Sequence, residues 1–292
     1  MKRLLALLLI ASCGFARAEI AVVDDSGATV RLAQPAKRII SLAPHVTESL
    51  FAIGAGDRIV GAVEYSNYPE AAKKIARVGG YSRLDLEAIV ALKPDLVIVW
   101  GSGNVKAHVE KLRAMGLTLY VTQSNRIEDV MSTLERLSQL TGTRDVGRKL
   151  VANLSARLEH LRQTYSKNPT VRTFYQVWKD PLSTIGGKQI ISTVITLCGG
   201  ENVFGGLEAL APIVSVEAVI TANPEAIIAS GMGEVRPEWL DDWRRWNSIT
   251  AVARDNLFFI PPDLIQRHTP RLLDGAELLC QQLETARSRR PH

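Results

Sequence analysis

Aromatic side chains in this chain stand at turns and strand ends rather than inside its apolar periodic runs: Tyr65, Tyr68, Tyr81, Trp100 and Trp178. Rings so placed present flat faces to a ligand, and several converging on one cleft suit a large, flat, partly apolar molecule. Trp239, Trp243 and Trp246 differ, because their helical spacing reads as core. Groups for bond-making chemistry are sparse. His45, His108, His160, His268 and His292 are scattered, with no His-Glu-x-x-His and no cysteine pairing for a metal. Neither a Gly-x-Ser-x-Gly elbow nor a Gly-x-x-x-x-Gly-Lys-Ser/Thr loop occurs. The chain reads as a binder of a small ligand, not as an enzyme. His45 and His268 lie beside Pro44 and Pro270 in strand-to-helix loops, where either can reach a cleft.

A repeat says where that cleft lies. Leu86-Glu87-Ala88-Ile89-Val90 returns as Val216-Glu217-Ala218-Val219-Ile220, and the register continues through Pro94/Pro224, Ile98/Ile228, Gly101/Gly231 and Gly103/Gly233. One helix-turn-strand unit thus occurs twice, as expected of two lobes that are structural copies. Ligands of open α/β sheets sit beyond the carboxyl ends of the strands. Here those ends are Trp100-Gly101-Ser102-Gly103 and Ser230-Gly231-Met232-Gly233. Lys106 and Arg236 stand where a dinucleotide fingerprint needs its third glycine, which excludes that cofactor. Glu87 and Glu217 are matched acids in first helical turns, behind Asp85 and Ser215 as N-caps. Interaction with the helix dipole, about 0.3–1 kcal/mol, accounts for each one separately. Their common offset also suits two exposed carboxylates engaging two basic sockets of a two-fold partner.

The elements that must hold these residues follow from hydrophobic patterning. Ile20–Val23 and Ala28–Leu32 flank Asp24-Asp25-Ser26-Gly27 as a hairpin. Strand-like runs then alternate with helical periodicity: 38–42, 58–63, 96–100, 118–121, 170–177, 226–230 and 257–260. That alternation predicts parallel α/β sheets. Between the halves, Val146, Leu150, Val151, Leu154, Leu158, Leu161 and Tyr165 predict one long amphipathic helix over 144–165, a strut holding two lobes at nearly fixed separation. The expected organisation is a leader at 1–18, a first α/β lobe at 19–142, a connecting helix at 143–167 and a second α/β lobe at 168–292.

The leader combines Lys2-Arg3, the apolar Leu4–Ile10 and an Ala16-Arg17-Ala18 cleavage site, which is the pattern of a secretory signal peptide. Ile10-Ala11-Ser12-Cys13 offers lipidation at Cys13 as the alternative processing. No later stretch approaches the roughly 20 apolar residues of a transmembrane helix. Loss of Lys2, Arg3 and Arg17 lowers the formal charge from +5 to +2, and the remaining basic residues are interleaved with acids, so there is no nucleic-acid footprint. Cys198 and Cys280 then remain, as one disulfide of an oxidising compartment or as two buried thiols.

Particular motifs narrow the reading. Arg38-Ile-Ile-Ser-Leu-Ala-Pro44, Thr47-Glu48, Leu92-Lys-Pro-Asp-Leu-Val-Ile-Val-Trp100, Gly103-Asn104, Cys198-Gly-Gly-Glu-Asn-Val-Phe204 and Pro270-Arg271 resemble the periplasmic cobalamin-binding proteins of ABC importers, from about Arg38 to Leu283. The wider pattern is that of the single-helix-hinged (class III) binding proteins for siderophores, haem and cobalamin. The resemblance implies two Rossmann-like lobes with central parallel sheets joined by one long α-helix. It implies a free monomer that takes cobalamin, or a related corrinoid, as transported ligand, with no cofactor and no resident metal. Tyr65, Tyr81, Trp100 and Trp178 are then expected at the ligand's faces, and Asp263, Leu264, Ile265, Gln266 and Arg267 at its rim. Tyr81 stands where the family has Trp, and Ala211 where it can place one. Glu87 and Glu217 match the acids that dock on the permease dimer, which works with its ATPase subunits. Cys198 and Cys280 match the family's disulfide. The alternatives are a haem or ferric-siderophore binder on the same scaffold, with Tyr81 or His268 as axial ligand for haem, and an exported corrinoid-modifying enzyme.

Overall fold

A computed structural model describes residues 19–80, 83–231, 233 and 235–291. The expected leader, Cys13 and Tyr81 lie outside the described residues. The chain opens with the hairpin β1 (Ile20–Val23) and β2 (Thr29–Leu32), followed by β3 (Ile39–Ser41), α1 (Pro44–Ala52), β4 (Ile59–Ala62), α2 (Leu86–Ala91), β5 (Leu96–Trp100), α3 (Lys106–Ala114), β6 (Leu119–Thr122) and α4 (Ile127–Leu140). The long helix α5 (Arg144–Tyr165) leads to β7 (Val171–Gln176), the small hairpin β8 (Trp178–Lys179) and β9 (Leu182–Ser183), α6 (Ile190–Leu197) and β10 (Gly200–Asn202). Then come α7 (Val216–Ala222), β11 (Ala226–Ala229), α8 (Thr250–Ala253), β12 (Leu257–Phe259), α9 (Pro262–Ile265) and α10 (Leu272–Ser288).

Two four-stranded sheets result, ordered β4-β3-β5-β6 and β10-β7-β11-β12, with every pairing parallel. Strands covered on both faces read as continuous apolar runs, which is why Leu96–Trp100 shows no polar alternation. Its faces still separate by the two-residue period. Leu96 and Ile98 join a core continuous through both lobes, while Val97 and Val99 join one confined to the first. In β11, Ala226 and Ile228 take the shared side, and Ile227 and Ala229 a core confined to the second lobe.

The strut contacts α4 on one side and α6 and α10 on the other. Leu154, Leu158 and Leu161 are buried in the shared core, but Val146 is 47% exposed. The first turn approaches α4 through Gly147 instead, where a β-carbon would fall 2.4 Å from Ser138 Cβ. Helical spacing at the tryptophans also misled in part. Residues Glu238–Arg245 form a 3-10 segment in which Trp243 is core, its Nε1 donating to Gln176 Oε1 at 2.7 Å, whereas Trp239 is only half-buried. The cysteines form a Cys198–Cys280 disulfide that ties the end of α6 to the middle of α10.

Candidate functional site: an aromatic interlobe cleft

Trp100 is the last residue of β5, and the backbone after it is shaped around its ring. A β-carbon on Gly103 would lie 1.8 Å from the indole, so only glycine lets the ring settle there. Asn104, itself buried, accepts from Trp100 N at 2.7 Å through Oδ1 and donates to Leu42 O at 2.9 Å through Nδ2. The backbone under the half-buried ring is therefore fixed, and Gly103 leaves the ring its space.

His45 meets this ring edge-on, with centroids 5.2 Å apart at 85°. His268, from the second lobe, lies 5.4 Å from His45 and 6.5 Å from Trp100. Burial holds the His45 imidazole well below its ordinary pKa, with His268 and Arg267 adding to the effect. Burial likewise lowers His268 to about 4. Both rings are neutral near pH 7. His268, with His45 packed behind it outside the lining, borders a cavity of about 290 Å³ walled by both lobes, with Trp100, Ser102, Gln123 and Asn125 opposite Ile185, Gln189, Leu210, Ala211 and Gln266. A larger groove, about 830 Å³, runs beside the strut past Arg126, Glu128, Arg162 and Thr196 and has no aromatic wall. Flat-ligand chemistry belongs to the smaller one.

A buried ion network joins the lobes beside this floor. Glu48 of α1, with its side chain 3% exposed, accepts from Nε and Nη2 of Arg271 at 2.7 Å each. Arg267 lies 3.7 Å from Glu48 and 2.9 Å from Asp263, and donates to Tyr65 O at 3.4 Å. The Arg271 guanidinium sits 3.8 Å over the Tyr68 ring. Asp263 and Arg267 thus engage each other, and Arg267 also reaches the opposite lobe. Gln266 lines the cavity and donates to Gly231 O at 3.2 Å, while the Ile265 side chain is fully buried in the shared core and Leu264 is half-buried.

Tyr65 and Trp178 stand apart from the cavity lining. Tyr65 is 71% exposed and holds a left-handed φ of 63°, a conformation that strains a residue with a β-carbon. Trp178, on the β8–β9 hairpin, packs edge-on against Trp239 at 6.5 Å. Trp239 was read from sequence as core. Nothing in the local pattern marks it as the support of a rim aromatic, nor marks Glu48 and Arg271 as partners.

The repeated units adopt matching caps. Asp85 accepts from Ala88 N at 2.9 Å, and Ser215 from Ala218 N at 3.2 Å. Glu87 and Glu217 follow in the first turns, both exposed. The Glu217 carboxyl is lowered by its own backbone N–H and by the Ser215 hydroxyl.

Two parallel α/β lobes, one bridging helix and a cleft walled by both define a binding protein of the single-helix-bridged class. The chain belongs to the periplasmic binding protein family, whose model matches residues 39–264. It is 39% identical over 256 residues to a vitamin B12-binding protein of Vibrio campbellii, covering 88% of this chain and 92% of that one. A vitamin B12-binding protein of Yersinia pestis is 34% identical over 251 residues, covering 86% and 88%. Among solved structures, the periplasmic vitamin B12 binding protein BtuF of Vibrio cholerae superposes with a TM-score of 0.81 at 37% identity, covering 87% of this chain and 98% of that one. The haem-binding protein RhuT of Roseiflexus, at 22% identity and a TM-score of 0.73 over 86% and 99%, shares the fold. Among the described residues, no helix is long and apolar enough to cross a membrane.

Proposed function

We propose that this chain captures a corrinoid of the vitamin B12 class between its lobes and delivers it to an inner-membrane ABC importer. It does so in the periplasm, after cleavage near Ala18. The observation that carries this is a cavity walled by both lobes and lined by the Trp100 and His268 rings, with the neutral His45 packed against both. A corrin has broad apolar faces and an amide-fringed edge. Aromatic faces bury the former, and backbone and amide groups bond the latter. Tyr65, Tyr81, Trp100 and Trp178 serve as walls in this reading, and the 263–267 segment serves the edge through the side chains of Asp263, Leu264, Gln266 and Arg267 and the backbone of Ile265, whose side chain belongs to the shared core. The lobes act as units at 19–142 and 168–292, with 143–167 between them. A cavity of about 290 Å³ lies at the lower bound of small-molecule sites, so the cleft must widen to admit the macrocycle.

Glu87 and Glu217 supply the second half of the function, as exposed carboxylates at corresponding points of the two lobes, able to meet arginines of a two-fold permease. The cargo leaves unchanged.

Titration calorimetry with cyanocobalamin tests the reading. Sub-micromolar binding is the expected result. No heat and no thermal shift overturn it, and tighter binding of haemin or of a ferric siderophore moves the chain to a neighbouring branch. Mass spectrometry of the exported protein tests its processing, since a lipidated Cys13 in place of a free N-terminus at Glu19 overturns cleavage near Ala18.

A further inference from the structure

We propose that Lys188 recognises the phosphodiester of the corrinoid's nucleotide loop, so that the cleft prefers complete cobalamins to cobinamide, which lacks that loop; this rests on the corrinoid reading above. The edge of a cobalamin is fringed with neutral amides and carries one fixed negative charge, the phosphodiester that joins the corrin to its base. Among the described residues that line the cavity, Lys188 alone bears a formal charge. Ser102, Gln123, Ser124, Asn125, Gln189 and Gln266 offer neutral hydroxyls and amides. His268, lowered by burial to about 4, is uncharged near pH 7. The neutral polar lining suits the amides, and one cation is left for one anion.

Position and freedom single out this lysine. It stands just before α6, in a loop whose Gly186 and Gly187 N–H groups donate to Leu210 O and Leu207 O. Leu210 and Ala211 of that facing segment also line the cavity, so the two loops make one rim on the second lobe. Lys188 Nζ is paired with Glu208 across this rim, and the two side chains are 69% and 82% exposed. A pair so exposed gains little over water and exchanges its partner readily. The arginines nearby have no such freedom. Arg267 is held by Asp263 and Arg271 by Glu48, with no side chain of the four more than 21% exposed. An ammonium meets phosphate as a point charge on a flexible four-carbon stem, so it can serve from a rim without a preformed cradle. Glu208 sharpens the choice: its carboxylate holds the ammonium until an anion replaces it, and cargo without an anion leaves the pair intact.

Calorimetry on the full mature chain with cyanocobalamin and with cobinamide gives two affinities, and their ratio is the readout. Lys188→Met is expected to lower the preference for cyanocobalamin about fivefold, the most that an exposed charge pair supplies, whereas Lys188→Arg is expected to keep it. Glu208→Gln is expected to raise the preference about twofold by releasing the ammonium from an exposed pair. High salt should shrink the wild-type preference, because charges at an open rim are screened. Cobinamide phosphate, which has the phosphate and lacks the base, should bind the wild type more tightly than cobinamide. Equal binding of those two would mean that the base is read instead, and overturns the inference. A ratio that Lys188→Met leaves unchanged overturns it as well, even if both affinities fall together, since the lysine is then only part of the wall. If neither corrinoid binds the wild type, the corrinoid reading itself falls, and this inference falls with it.

Discussion

The two copies of the helix-turn-strand unit agree where the backbone makes demands and differ where the cleft does. Each copy caps its helix with a short polar side chain, carries an exposed glutamate in the first turn and runs into a strand buried on both faces. At the strand's end they part. The first copy ends in Trp100, half-buried on the cavity lining, and the second in Ser230, fully buried and outside that lining. Stabilising devices differ too. The first lobe is closed by the β1–β2 hairpin, whose Asp24 side chain accepts from Ser26 N, Ala28 N and Val121 N. The second relies on Cys198–Cys280. Caps and buried strands answer local physics, so both copies keep them. A ligand seen from two sides asks different things of each wall.

The largest expected effect falls on the second lobe alone. Replacing Cys198 and Cys280 by alanine removes a cross-link spanning 82 residues, worth about 4 kcal/mol in the chain-entropy model. The melting temperature should drop, and amide exchange should rise first in α6 and α10. An equal rise in α1 and β3 would show that the lobes, sharing one core, open together.

Cutting the contact between lobes comes next. Arg271→Ala strands a Glu48 carboxylate that is 3% exposed and should destabilise by about 3 kcal/mol. Chemical denaturation measures it, and the double change Glu48→Gln with Arg271→Met should recover most of the loss. Failure to recover would mean that the arginine acts through its stacking on Tyr68 rather than through the pair.

The strand-end asymmetry predicts unequal binding effects. Trp100→Ala should weaken cyanocobalamin about thirtyfold, roughly 2 kcal/mol for a lost aromatic face, whereas Ser230→Ala should stay within about twofold by calorimetry. Equal losses would make the walls equivalent after all.

Acid should expose the neutral floor. The folded chain keeps His268 unprotonated down to about 4, below its ordinary 6.5, so between those values the unfolded chain binds more protons. Stability is then full above about pH 6.5 and falls as pH drops toward 4. His45, lowered for the same reason, steepens the fall. Melting curves of His268→Gln should show a shallower decline, and an unchanged one would remove the histidine from the account.

The smallest effect on the molecule itself is expected from Glu87→Arg with Glu217→Arg. Exposed first-turn acids interact only weakly with the helix dipole, and neither lines the cavity, so affinity should hold within about twofold. Corrinoid uptake through the importer should be abolished. Surviving uptake would reduce both acids to helix-dipole partners.

Much of this architecture was legible in the chain. The 96–100 strand and the 144–165 helix emerge with the bounds that apolar spacing predicts, and the repeat places matching caps. Parallel pairing followed from alternation alone. Periodicity and capping are local, set within a few residues by backbone hydrogen bonding and side-chain direction, so the sequence by itself determined them. Resemblance to one family turned the Cys198–Cys280 pair, which counting left open between a disulfide and two thiols, into an expected disulfide. What only the tertiary structure decided are contacts between distant segments. Glu48 and Arg271 are 223 residues apart, and no pattern within either helix reveals the other. Trp239, helical in spacing, supports Trp178 because the 3-10 segment turns it toward the β8–β9 hairpin. The neutrality of His45 and His268 was hidden for the same reason. A lone histidine in a loop carries its ordinary pKa until folding buries it, and that burial exists only once both lobes stand around one cleft.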